Sequence, residues 1–537
     1  MTRWKTDVAA GLTTAAVALP KAMAYAAVAG LPLQLGLYTG IVPVVAYAAL
    51  GTSRSLSVTT TSTLAILTAA VLADVAPAAS VDALIVTTVT LGLLVGAFLL
   101  IGGMLRLGFL AAFISDPVLT GFKAGVGVVI LVDQMPKLLG VHLDKAPFFP
   151  NLLNLVAHAP EASVPTVLVG LATLALIFGL AHVAPRAPAP LVAIGAATVT
   201  SVLLGLEGAG VALVGAVPSG LPTVAWPDLS LAPALWPGAA GLALMSFVES
   251  SAAGRLFIRR GDPIPSPNRE LIALGVANAA GSVFQILPAG GGTSQTAVNF
   301  GAGARSQLAS SMTAVVAVAT LLFLAGGVGL IPQAALAAVV VATTIPLIDV
   351  GDFLAIRRIR VTEFRWAVIA FLGVVLLGTL NGVLVAVVVS VLVLIHQASQ
   401  PPVYLLGRKP GTDVFRPLAP AHPDDETVAG LMLVRTEGRL LFLNVAWLRE
   451  KVWPLIDAVN PRVLALDMSA VPDIEYTALR ALGEFNSRLD ERGIELWLVG
   501  LNPEAMRVVE RAPVGKALTR ARMFHTLALA VERYEQR

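Results

Sequence analysis

The segment GGGTSQTAVNFGAGA, residues 290–304, is small, polar and uncharged, and it lies between long apolar runs. The chain around it has 537 residues, of which 56% are hydrophobic and only 13% are charged. In an ordinary soluble domain about a quarter of the residues are charged. A glycine-rich polar segment within so apolar a chain needs a structural or functional reason.

The apolar runs predict a polytopic α-helical membrane protein. Runs of about 20 residues recur from the first residues to about residue 400, and each can cross a hydrocarbon core of about 30 Å as a helix. The chain contains no cysteine, which excludes disulfides, thiolate catalysis and cysteine-based metal sites. The formal net charge of +3 indicates basic cytoplasmic loops, and we expect no binding of nucleic acid.

The first 400 residues divide into 14 predicted spans. Two of them, 57–72 and 293–303, are unusually short and polar, and each is third in its group of seven. A unit with an odd number of spans that is repeated once must lie inverted, which predicts a seven-plus-seven inverted repeat. In chain order the predicted spans are 8–28, 35–50, 57–72, 83–104, 117–138, 163–183, 187–206, 237–257, 270–287, 293–303, 307–328, 333–348, 365–380 and 382–399.

The distribution of basic residues predicts that the N-terminus is cytoplasmic, because cytoplasmic loops are enriched in Lys and Arg. With that orientation the external side carries only Lys137 and Lys145, and the long loop 207–236 has no basic residue. The even number of spans also leaves the C-terminal region cytoplasmic. The basic residues on the cytoplasmic side are Arg3, Lys5, Arg54, Arg106, Arg186, Arg255, Arg259, Arg260, Arg269, Arg305, Arg357, Arg358, Arg360 and Arg365.

The composition changes across residues 396–415, after which charged residues occur every few positions. We therefore predict three regions: a first repeat 1–206, a second repeat 207–400 after an external loop, and a linker with a cytoplasmic domain, 401–537. Within the last region, from about residue 403, strand and helix patterns alternate, which predicts a small α/β domain.

Three apolar stretches in this domain predict buried strands: LLFLNV (440–445), RVLALDMSAV (462–471) and IELWLVGL (494–501). The stretch EYTALRALGEFNSRLDERG (475–493) has helical spacing and ends at Gly493, a suitable C-terminal cap. No glycine-rich nucleotide-binding loop is visible.

The two short polar spans suggest a binding site. In 290–304 and in SVTTTSTLAIL (57–67), an extended stretch is followed by a segment that can start a short helix. Non-helical backbone at membrane depth must be buried in protein or line a wet cavity. Two helices that begin at mid-membrane would direct two positive dipole ends at one point and could hold a small anion. The alternative is that the small residues only permit close helix packing.

Four stretches carry a resemblance to a known family: 7–58, 268–284 (NRELIALGVANAAGSVF), 291–309 (GGTSQTAVNFGAGARSQLA) and 464–482 (LALDMSAVPDIEYTALRAL). The first three resemble the sulfate-permease (SulP) anion transporters, bacterial relatives of solute carrier family 26. The last resembles their C-terminal STAS domain. The resemblance implies a uracil-permease-like fold with core and gate domains, an anion site between spans 3 and 10, and a homodimer.

Departures from the family pattern mark candidate site residues. The family usually has Pro-Gln in span 1 where this chain has Pro20-Lys21, and Ser-Arg in span 10 where it has Ser294-Gln295. In span 3, Thr59-Thr60 stands where Gly-Pro is usual. The cavity arginine is therefore missing, and a lysine on a facing span is predicted to replace its charge, as a point charge rather than a bidentate fork. The predicted substrate-binding residues are Lys21, Tyr25, Thr60, Thr61, Thr293, Ser294 and Gln295.

The alternative for Lys21 is that it snorkels or pairs with a carboxylate. For Tyr25, one helical turn further on, it is plain packing. Glu249 is the other charge in the middle of a span, and a carboxylate in a poorly hydrated cavity can hold a proton at neutral pH. We hypothesise that Glu249 carries the coupled proton or helps to bind Na⁺, the alternative being a structural ion pair with Lys21.

Other polar residues are weaker candidates. Lys123 is expected to snorkel near the cytoplasmic end of span 5, and Asp133 and Gln134 are expected to be solvated at its other end. In the STAS-like domain, Tyr476 stands where related regulators have a phosphorylatable serine, which argues against a phosphorylation switch.

The sequence predicts a secondary transporter of a small anion in the cell inner membrane, working by alternating access. The substrate is a carboxylate or dicarboxylate such as fumarate, or an oxyanion such as sulfate or bicarbonate, with a slight preference for a proton-coupled carboxylate. Proton symport, or Na⁺ symport, would drive the anion against the membrane potential. The alternatives are an uncoupled exchanger or channel, and a sensor that signals through the STAS-like domain. We expect no enzyme, cofactor or metal site, since no catalytic constellation is visible.

Overall fold

The computed structural model describes residues 3–77, 79–112, 115–143, 148–184, 187–215 and 220–537. The chain forms two compact units, Met1–Ser390 and Val391–Arg537. Lys145 and Arg186, which the topology prediction used, lie outside the described residues.

The first unit is helical, apart from two strands of two residues each. The strands are β1 (Val58–Thr59) and β2 (Gly290–Gly291). The helices are α1 (Arg3–Val28), α2 (Leu33–Thr39), α3 (Val42–Leu50), α4 (Ser62–Val75), α5 (Val81–Met104), α6 (Asp116–Leu139), α7 (Phe148–His158), α8 (Val164–Val183), α9 (Ala189–Leu203), α10 (Ala232–Leu256), α11 (Pro267–Ser282), α12 (Thr293–Gly301), α13 (Leu308–Ala319), α14 (Ala325–Gly329), α15 (Gln333–Thr344), α16 (Val350–Ile359), α17 (Val361–Leu377) and α18 (Thr379–Ser399), which runs into the second unit.

The helices confirm a membrane protein with many apolar helices. Within the described residues, eight helical stretches are long and apolar enough to cross a membrane, and Ser62–Val75, Ala189–Leu203 and Val385–Ser399 are shorter apolar helices. The count of 14 spans stays a prediction. The predicted span 35–50 is divided into α2 and α3, and α7, which the sequence analysis did not predict, lies between α6 and α8.

The helices pack closely where small residues face a neighbouring backbone. Gly36 of α2 lies against the backbone of Ala22 in α1, and Gly121 of α6 lies against the backbone of Ala367 in α17. A Cβ atom at either glycine would overlap those atoms. Membrane helices approach closely at such small residues because apolar lipid gives them no hydrophobic driving force.

The helices of the first unit form two packed sets. One set contains α1–α5 and α10–α13, and the other contains α6, α8, α9, α15 and α17. Helices α1 and α4 also contact α15 of the second set. These sets correspond to the core and gate domains that the family resemblance implies.

The second unit is the predicted α/β domain. Its strands are β3 (Val403–Arg408), β4 (Phe415–Pro417), β5 (Leu431–Thr436), β6 (Val463–Asp467), β7 (Glu495–Val499) and β8 (Met523–Phe524). Its helices are α19 (Val445–Val459), α20 (Tyr476–Glu491), α21 (Pro503–Arg511), α22 (Pro513–Leu518) and α23 (Leu527–Glu535).

The six strands form one sheet in the order β4-β3-β5-β6-β7-β8. Strands β5 to β8 are parallel, with Leu433, Ala465 and Trp497 in register, and β3 is antiparallel to β5. Both faces are buried: one apolar cluster includes residues of α19, α20 and α21, and the other includes residues of α23. Burial on both faces explains why β6 and β7 are almost continuously apolar.

Two of the three strands predicted here are confirmed, as β6 and β7. The prediction for LLFLNV was wrong: Leu440 makes an isolated bridge to Ile474, and the rest turns into α19. A short apolar run fits a buried turn or helix start as well as a strand. The predicted helix is α20, followed by Gly493 in the left-handed conformation with φ +72°.

Candidate functional site

Strands β1 and β2 pair inside the first unit and bring the two short polar segments together. They pair antiparallel, with Val58 opposite Gly291 and Thr59 opposite Gly290. Helix α4 starts three residues after β1 and α12 two residues after β2. The structure therefore confirms that each polar segment is an extended stretch followed by a short helix, and both helix N-termini lie beside the strand pair.

Glycine is needed in β2 because its neighbours leave no room for side chains. A Cβ atom on Gly290 would lie 2.9 Å from Ser246 Oγ, and one on Gly291 would lie 2.5 Å from Leu56 Cδ1. The three glycines that interrupt the apolar pattern thus let β2 lie directly against α10 and the segment before β1.

Polar side chains that the sequence analysis missed hold β2 in place. Ser246 Oγ of α10 donates to the carbonyl oxygen of Ala289 at 2.7 Å, and Ser250 Oγ accepts from Gly291 N at 2.7 Å. Asn278 Oδ1 of α11 accepts from Ala289 N at 2.8 Å. The sequence pattern that could have predicted this contact is the pair of serines, four residues apart, on either side of Glu249. This spacing puts both serines on one helix face.

The N-terminal end of α4 is closed by a cap and a carboxylate. Thr61 is the N-cap residue, and its Oγ1 accepts from Leu64 N at 3.2 Å. The same hydroxyl donates to Glu249 Oε2 at 2.8 Å. Glu249 is 9% exposed. Thr60 Oγ1 is buried and has no hydrogen-bond partner among the described residues.

The N-terminal end of α12 is open and faces a cation. Its N-cap residue, Gly292, supplies no side-chain cap, and Thr293 and Ser294 in the first turn are exposed. Lys21 Nζ of α1 donates to Ser294 Oγ at 2.7 Å, and Lys21 is 8% exposed. The lysine follows Pro20, which lies inside α1 and lacks the N–H that would continue its hydrogen-bond ladder.

Gln295 connects the two polar segments. Its Oε1 accepts from Thr59 Oγ1 at 2.9 Å, and its Nε2 donates to the carbonyl oxygen of Ser57 at 3.0 Å. Both ends of the amide are therefore engaged with the first segment, so Gln295 fixes the distance between the two helix ends. A direct contact of Gln295 with substrate stays a prediction.

Tyr25 lies on the same side of α1 as Lys21 and reaches the α4 end. Its hydroxyl lies near the side chains of Ser62 in α4 and Thr343 in α15. Tyr25 is buried, with 6% of its surface exposed. It therefore touches both helix sets, a placement that fits a role in closing the site.

The buried charges do not neutralise one another by direct contact. Lys21 and Glu249 are both described, and no ion pair joins them or joins either to another described residue. The structural ion pair considered as the alternative is therefore not formed. Each charged group contacts a different helix N-terminus, Lys21 that of α12 and Glu249 that of α4.

Other buried carboxylates have structural partners at the helix ends that the sequence predicts to be cytoplasmic. Glu270 accepts from Tyr47 Oη at 2.7 Å and from Thr52 N at 2.7 Å. Asp7 Oδ1 accepts from Arg305 N at 2.6 Å and Asp7 Oδ2 from Ser306 Oγ at 2.6 Å. These bonds anchor loops and involve neither helix N-terminus, so Glu249 is the described carboxylate that can respond to an occupant there.

One expectation about α6 was wrong. Gln134 is buried, at 3% exposure, rather than solvated, because α15 packs against this end of α6. Asp133 is exposed, as expected, and accepts from Asn151 Nδ2 of α7 at 2.7 Å. Lys123 is half-buried.

Two broken helices that meet beside a buried cation define a class of protein. In secondary transporters, half-helix N-termini near the middle of the membrane bind the anionic groups of substrates. The helical unit and the separate α/β domain fit a membrane transporter with an additional C-terminal domain.

Comparison with known families identifies the particular family. The Sulfate permease family profile matches residues 4–370, and the STAS domain profile matches residues 422–530. The chain belongs to the sulfate permease family of anion transporters, and the resemblance seen in the sequence is confirmed. In this family the STAS domain is cytoplasmic.

Relatives match along nearly the whole chain. A protein of Mycobacterium tuberculosis named as a probable sulfate transporter is 35% identical over 100% of this chain and 96% of its own length. The chloroplastic sulfate transporter 4.1 of Arabidopsis thaliana is 30% identical over 95% of this chain and 78% of its own length.

Solved structures share the fold. The murine Slc26a9 anion transporter in its inward-facing state has a TM-score of 0.91 at 24% identity, covering 99% of this chain and 91% of that chain. The transmembrane domain of the cyanobacterial bicarbonate transporter BicA has a TM-score of 0.61 at 24% identity, covering 73% and 98%. The predicted fold class, helical with a C-terminal STAS domain, is thus confirmed.

Proposed function

We propose that this chain is a secondary active transporter that binds one small anion between the N-termini of α4 and α12 and moves it together with a proton. The observation that supports it most is the convergence of both helix ends with Lys21, whose ammonium lies 2.7 Å from Ser294 Oγ. A cation and two positive dipole ends around exposed hydroxyl groups suit an anion.

The α12 end is the receiving surface in this proposal. Its backbone N–H groups are not capped by the side chain of Gly292, and the hydroxyls of Thr293 and Ser294 are exposed beside them. An anion that displaces Ser294 from Lys21 gains a charge-assisted hydrogen bond. Thr60 Oγ1, buried without a described partner, offers a further donor from the other wall.

Glu249 couples the anion to a proton. Its carboxylate already occupies the positive end of α4 through Thr61. An anion at the neighbouring α12 end would be repelled by this carboxylate, because the surroundings screen charge poorly. A proton on Glu249 removes that repulsion, so proton and anion bind together more favourably than either does alone. Na⁺ in place of the proton would relieve the repulsion in the same way.

Sulfate is the substrate we favour among the anions considered. The geometry accommodates carboxylates and tetrahedral oxyanions alike, since both accept hydrogen bonds from hydroxyl, ammonium and backbone donors. The relatives at 35% and 30% identity are named as sulfate transporters, and this outweighs the slight preference for a carboxylate drawn from the sequence. Bicarbonate and fumarate remain the comparison substrates.

Transport would proceed by movement of the core set against the gate set. The proposed site belongs to α1, α4, α10 and α12 of the core set, whereas Thr343 on α15 belongs to the gate set and lies against Tyr25. Carrying the site past such a contact would expose it to one side at a time. Uptake of each uncompensated negative charge against 100 mV costs about 2.3 kcal/mol, which proton symport offsets.

The first experiment is uptake of radiolabelled sulfate, bicarbonate or fumarate into proteoliposomes, each with and without an inward proton gradient. We expect gradient-driven accumulation of sulfate. Accumulation of fumarate alone would make the substrate a carboxylate, and accumulation with a Na⁺ gradient only would replace the proton by Na⁺.

Two other outcomes distinguish the alternative functions. Flux that only equilibrates, whatever the gradient, would identify an uncoupled exchanger or channel and would leave Glu249 a structural residue. Absence of flux for every anion, with anion binding retained, would favour a sensor that signals through the STAS domain.

We also propose that the protein is a homodimer and that it lies in the cell inner membrane. Both proposals are based on the family resemblance. Cross-linking in native membranes, followed by electrophoresis, would show a band at twice the mass of the chain.

A further inference from the structure

A second polar cavity lies beyond the central site, at the opposite end of α1 from the N-terminus. It has a volume of about 290 Å³ and is bounded by the C-terminal end of α1, the segment 31–34, the C-terminal end of α6 and the N-terminal end of α15. In the predicted topology all three helix ends are external. We name this cavity the outer vestibule.

Among the lining residues of the outer vestibule that the structure describes, Lys137 is the charged one. Lys137 of α6 lines it together with the side-chain amides of Gln34, Gln134 and Gln333, and the other described lining residues are apolar. No acidic residue is among the lining residues that the structure describes. A cavity with an ammonium, three amides and no described carboxylate favours an anion over a cation.

Gln134 gives an independent indication that the vestibule holds a polar occupant. Gln134 is buried, with 3% of its surface exposed, and it lines the cavity. Its side chain makes no hydrogen bond to another described residue. The amide is not among the fully buried polar groups that lack a partner, so it is accessible from the cavity that it lines. An acceptor in the vestibule would therefore receive hydrogen bonds from its NH₂ group and from the ammonium.

The vestibule adjoins the central site and lies between the two helix sets. Ala24 lines it and is three residues from Lys21 on α1, which corresponds to a rise of about 4.5 Å. Lys137 Nζ donates to the carbonyl oxygen of Ala27 at 3.1 Å, so the ammonium reaches from α6 of the gate set to α1 of the core set. The vestibule lining therefore begins on α1 within about one helical turn of Lys21.

We propose that the outer vestibule is a second anion-binding site, which captures a small inorganic or carboxylate anion from the external side before it reaches Lys21. Lys137 supplies the charge, and the amides of Gln134 and Gln34 supply neutral donors. The volume accommodates a small anion with several waters, given about 30 Å³ for each water. This site rests on residues that the proposed central site does not use.

The absence of cysteine from the chain gives a direct test that needs no transport. Gln34→Cys places a single thiol in the vestibule wall, and Gln333→Cys places one at its exposed rim. Each variant is treated, in right-side-out membrane vesicles, with an anionic sulfonatoethyl thiosulfonate and with a cationic trimethylammonium analogue. Rates are normalised to those with a free small thiol.

We expect the anionic reagent to react about tenfold faster than the cationic one. Clefts lined by one sign of charge raise the association rates of oppositely charged molecules, and tenfold is at the low end of that range. Lys137→Met in the same background should abolish the preference, and Lys137→Arg should keep it. Lys123→Met, near the other end of α6, is the matched control and should leave it unchanged. Sulfate at millimolar concentration should slow labelling in the Lys137 background and have no effect with Lys137→Met.

Equal normalised rates for the two reagents, or a preference that survives Lys137→Met, would overturn the proposal. The proposal would also be wrong if both thiols failed to react with reagent added outside but reacted after denaturation, because the vestibule would then be closed to the external solution. A Lys21 variant separates the two sites. If the central site fails but the vestibule exists, uptake is lost while the labelling preference remains.

Discussion

The two half-helices have the same design and opposite surroundings. Helix α4 has a threonine cap, and its first turn is tied to Glu249, whereas α12 begins at a glycine and presents exposed hydroxyls to Lys21. One end is therefore occupied by a carboxyl group of the protein, and the other is open beside a lysine. The difference suggests a division of roles: α12 receives the anion, and α4 senses whether Glu249 carries a proton.

The largest expected effect is that of Lys21→Met. Removing the cation that faces the open helix end should lower kcat/KM for anion uptake by about 100-fold. The corresponding free-energy cost lies near the lower end of the range of about 2–5 kcal/mol that is typical when one partner of a buried charge pair is truncated. The measurement is initial uptake in proteoliposomes over a range of anion concentrations. Lys123→Met is the control.

A charge exchange sharpens that result. The double variant Lys21→Gln and Gln295→Arg restores the residue types usual in the family and should recover part of the activity lost in Lys21→Gln. The recovery is only partial because Gln295 gives up its bonds to Thr59 and Ser57. If Lys21→Met transported as well as the native chain, the assignment of the receiving end to α12 would be wrong.

Glu249→Gln tests the other helix end and should uncouple transport. For symport with one proton, a gradient of one pH unit supplies about 1.4 kcal/mol, or about tenfold accumulation. We expect the native chain to accumulate anion as the external pH falls, and Glu249→Gln to show downhill flux that is independent of pH. The measurement is the ratio of internal to external anion at external pH values of about 5.5, 6.5 and 7.5, which are about one unit apart.

Glu270→Gln is the matched control for this prediction, because Glu270 is also buried but binds Tyr47 and Thr52 away from both helix ends. Its pH dependence should follow that of the native chain once the folded fraction is checked by size-exclusion chromatography. Equal loss of pH dependence in both variants would deny Glu249 a special role.

A smaller effect distinguishes the two first turns. Thr61→Ala removes the cap of α4, which should destabilise the folded protein by about 1 kcal/mol. Thr293 makes no hydrogen bond to a described residue through its side chain, so Thr293→Ala should leave thermal unfolding in detergent unchanged and raise the KM for anion about threefold, or about 0.6 kcal/mol. The opposite pattern would reverse the roles of the two ends.

The smallest effect is expected from making the α12 end resemble the α4 end. Gly292→Ser adds a side-chain cap that competes with the anion for the same N–H groups, and serine and glycine caps differ by only a few tenths of a kcal/mol. The new Cβ atom would lie 3.1 Å from Gln295 Cδ, so the flexible Gln295 side chain must shift by a few tenths of an ångström. We expect a KM raised about twofold at most. Gly301→Ser is the control, because no atom lies within 4 Å of a Cβ there. A lowered KM would show that the anion does not use these N–H groups.

Much of the architecture could be predicted because hydrophobic length and turn composition are local signals. The two polar interruptions, the strands β6 and β7 and the end of α20 shortly before Gly493 were all found from their own residues. The errors came where local signals are ambiguous or burial depends on distant segments. LLFLNV was too short to distinguish a strand from a turn, and Gln134 looked solvated because nothing near it in sequence shows that α15 covers it.

The sequence by itself determined that the chain spans a membrane and that two segments break the helical pattern at corresponding places. It also determined that Lys21 and Glu249 are charged residues in the middle of predicted spans, where contact with lipid would be unfavourable. These properties follow from the hydrocarbon thickness and from the cost of polar groups within it. Only the tertiary structure decided which charge faces which helix end. Lys21 and Ser294 are 273 residues apart, and Thr61 and Glu249 are 188 apart. No local propensity encodes such contacts, since they arise when β1 and β2 pair and the surrounding helices pack.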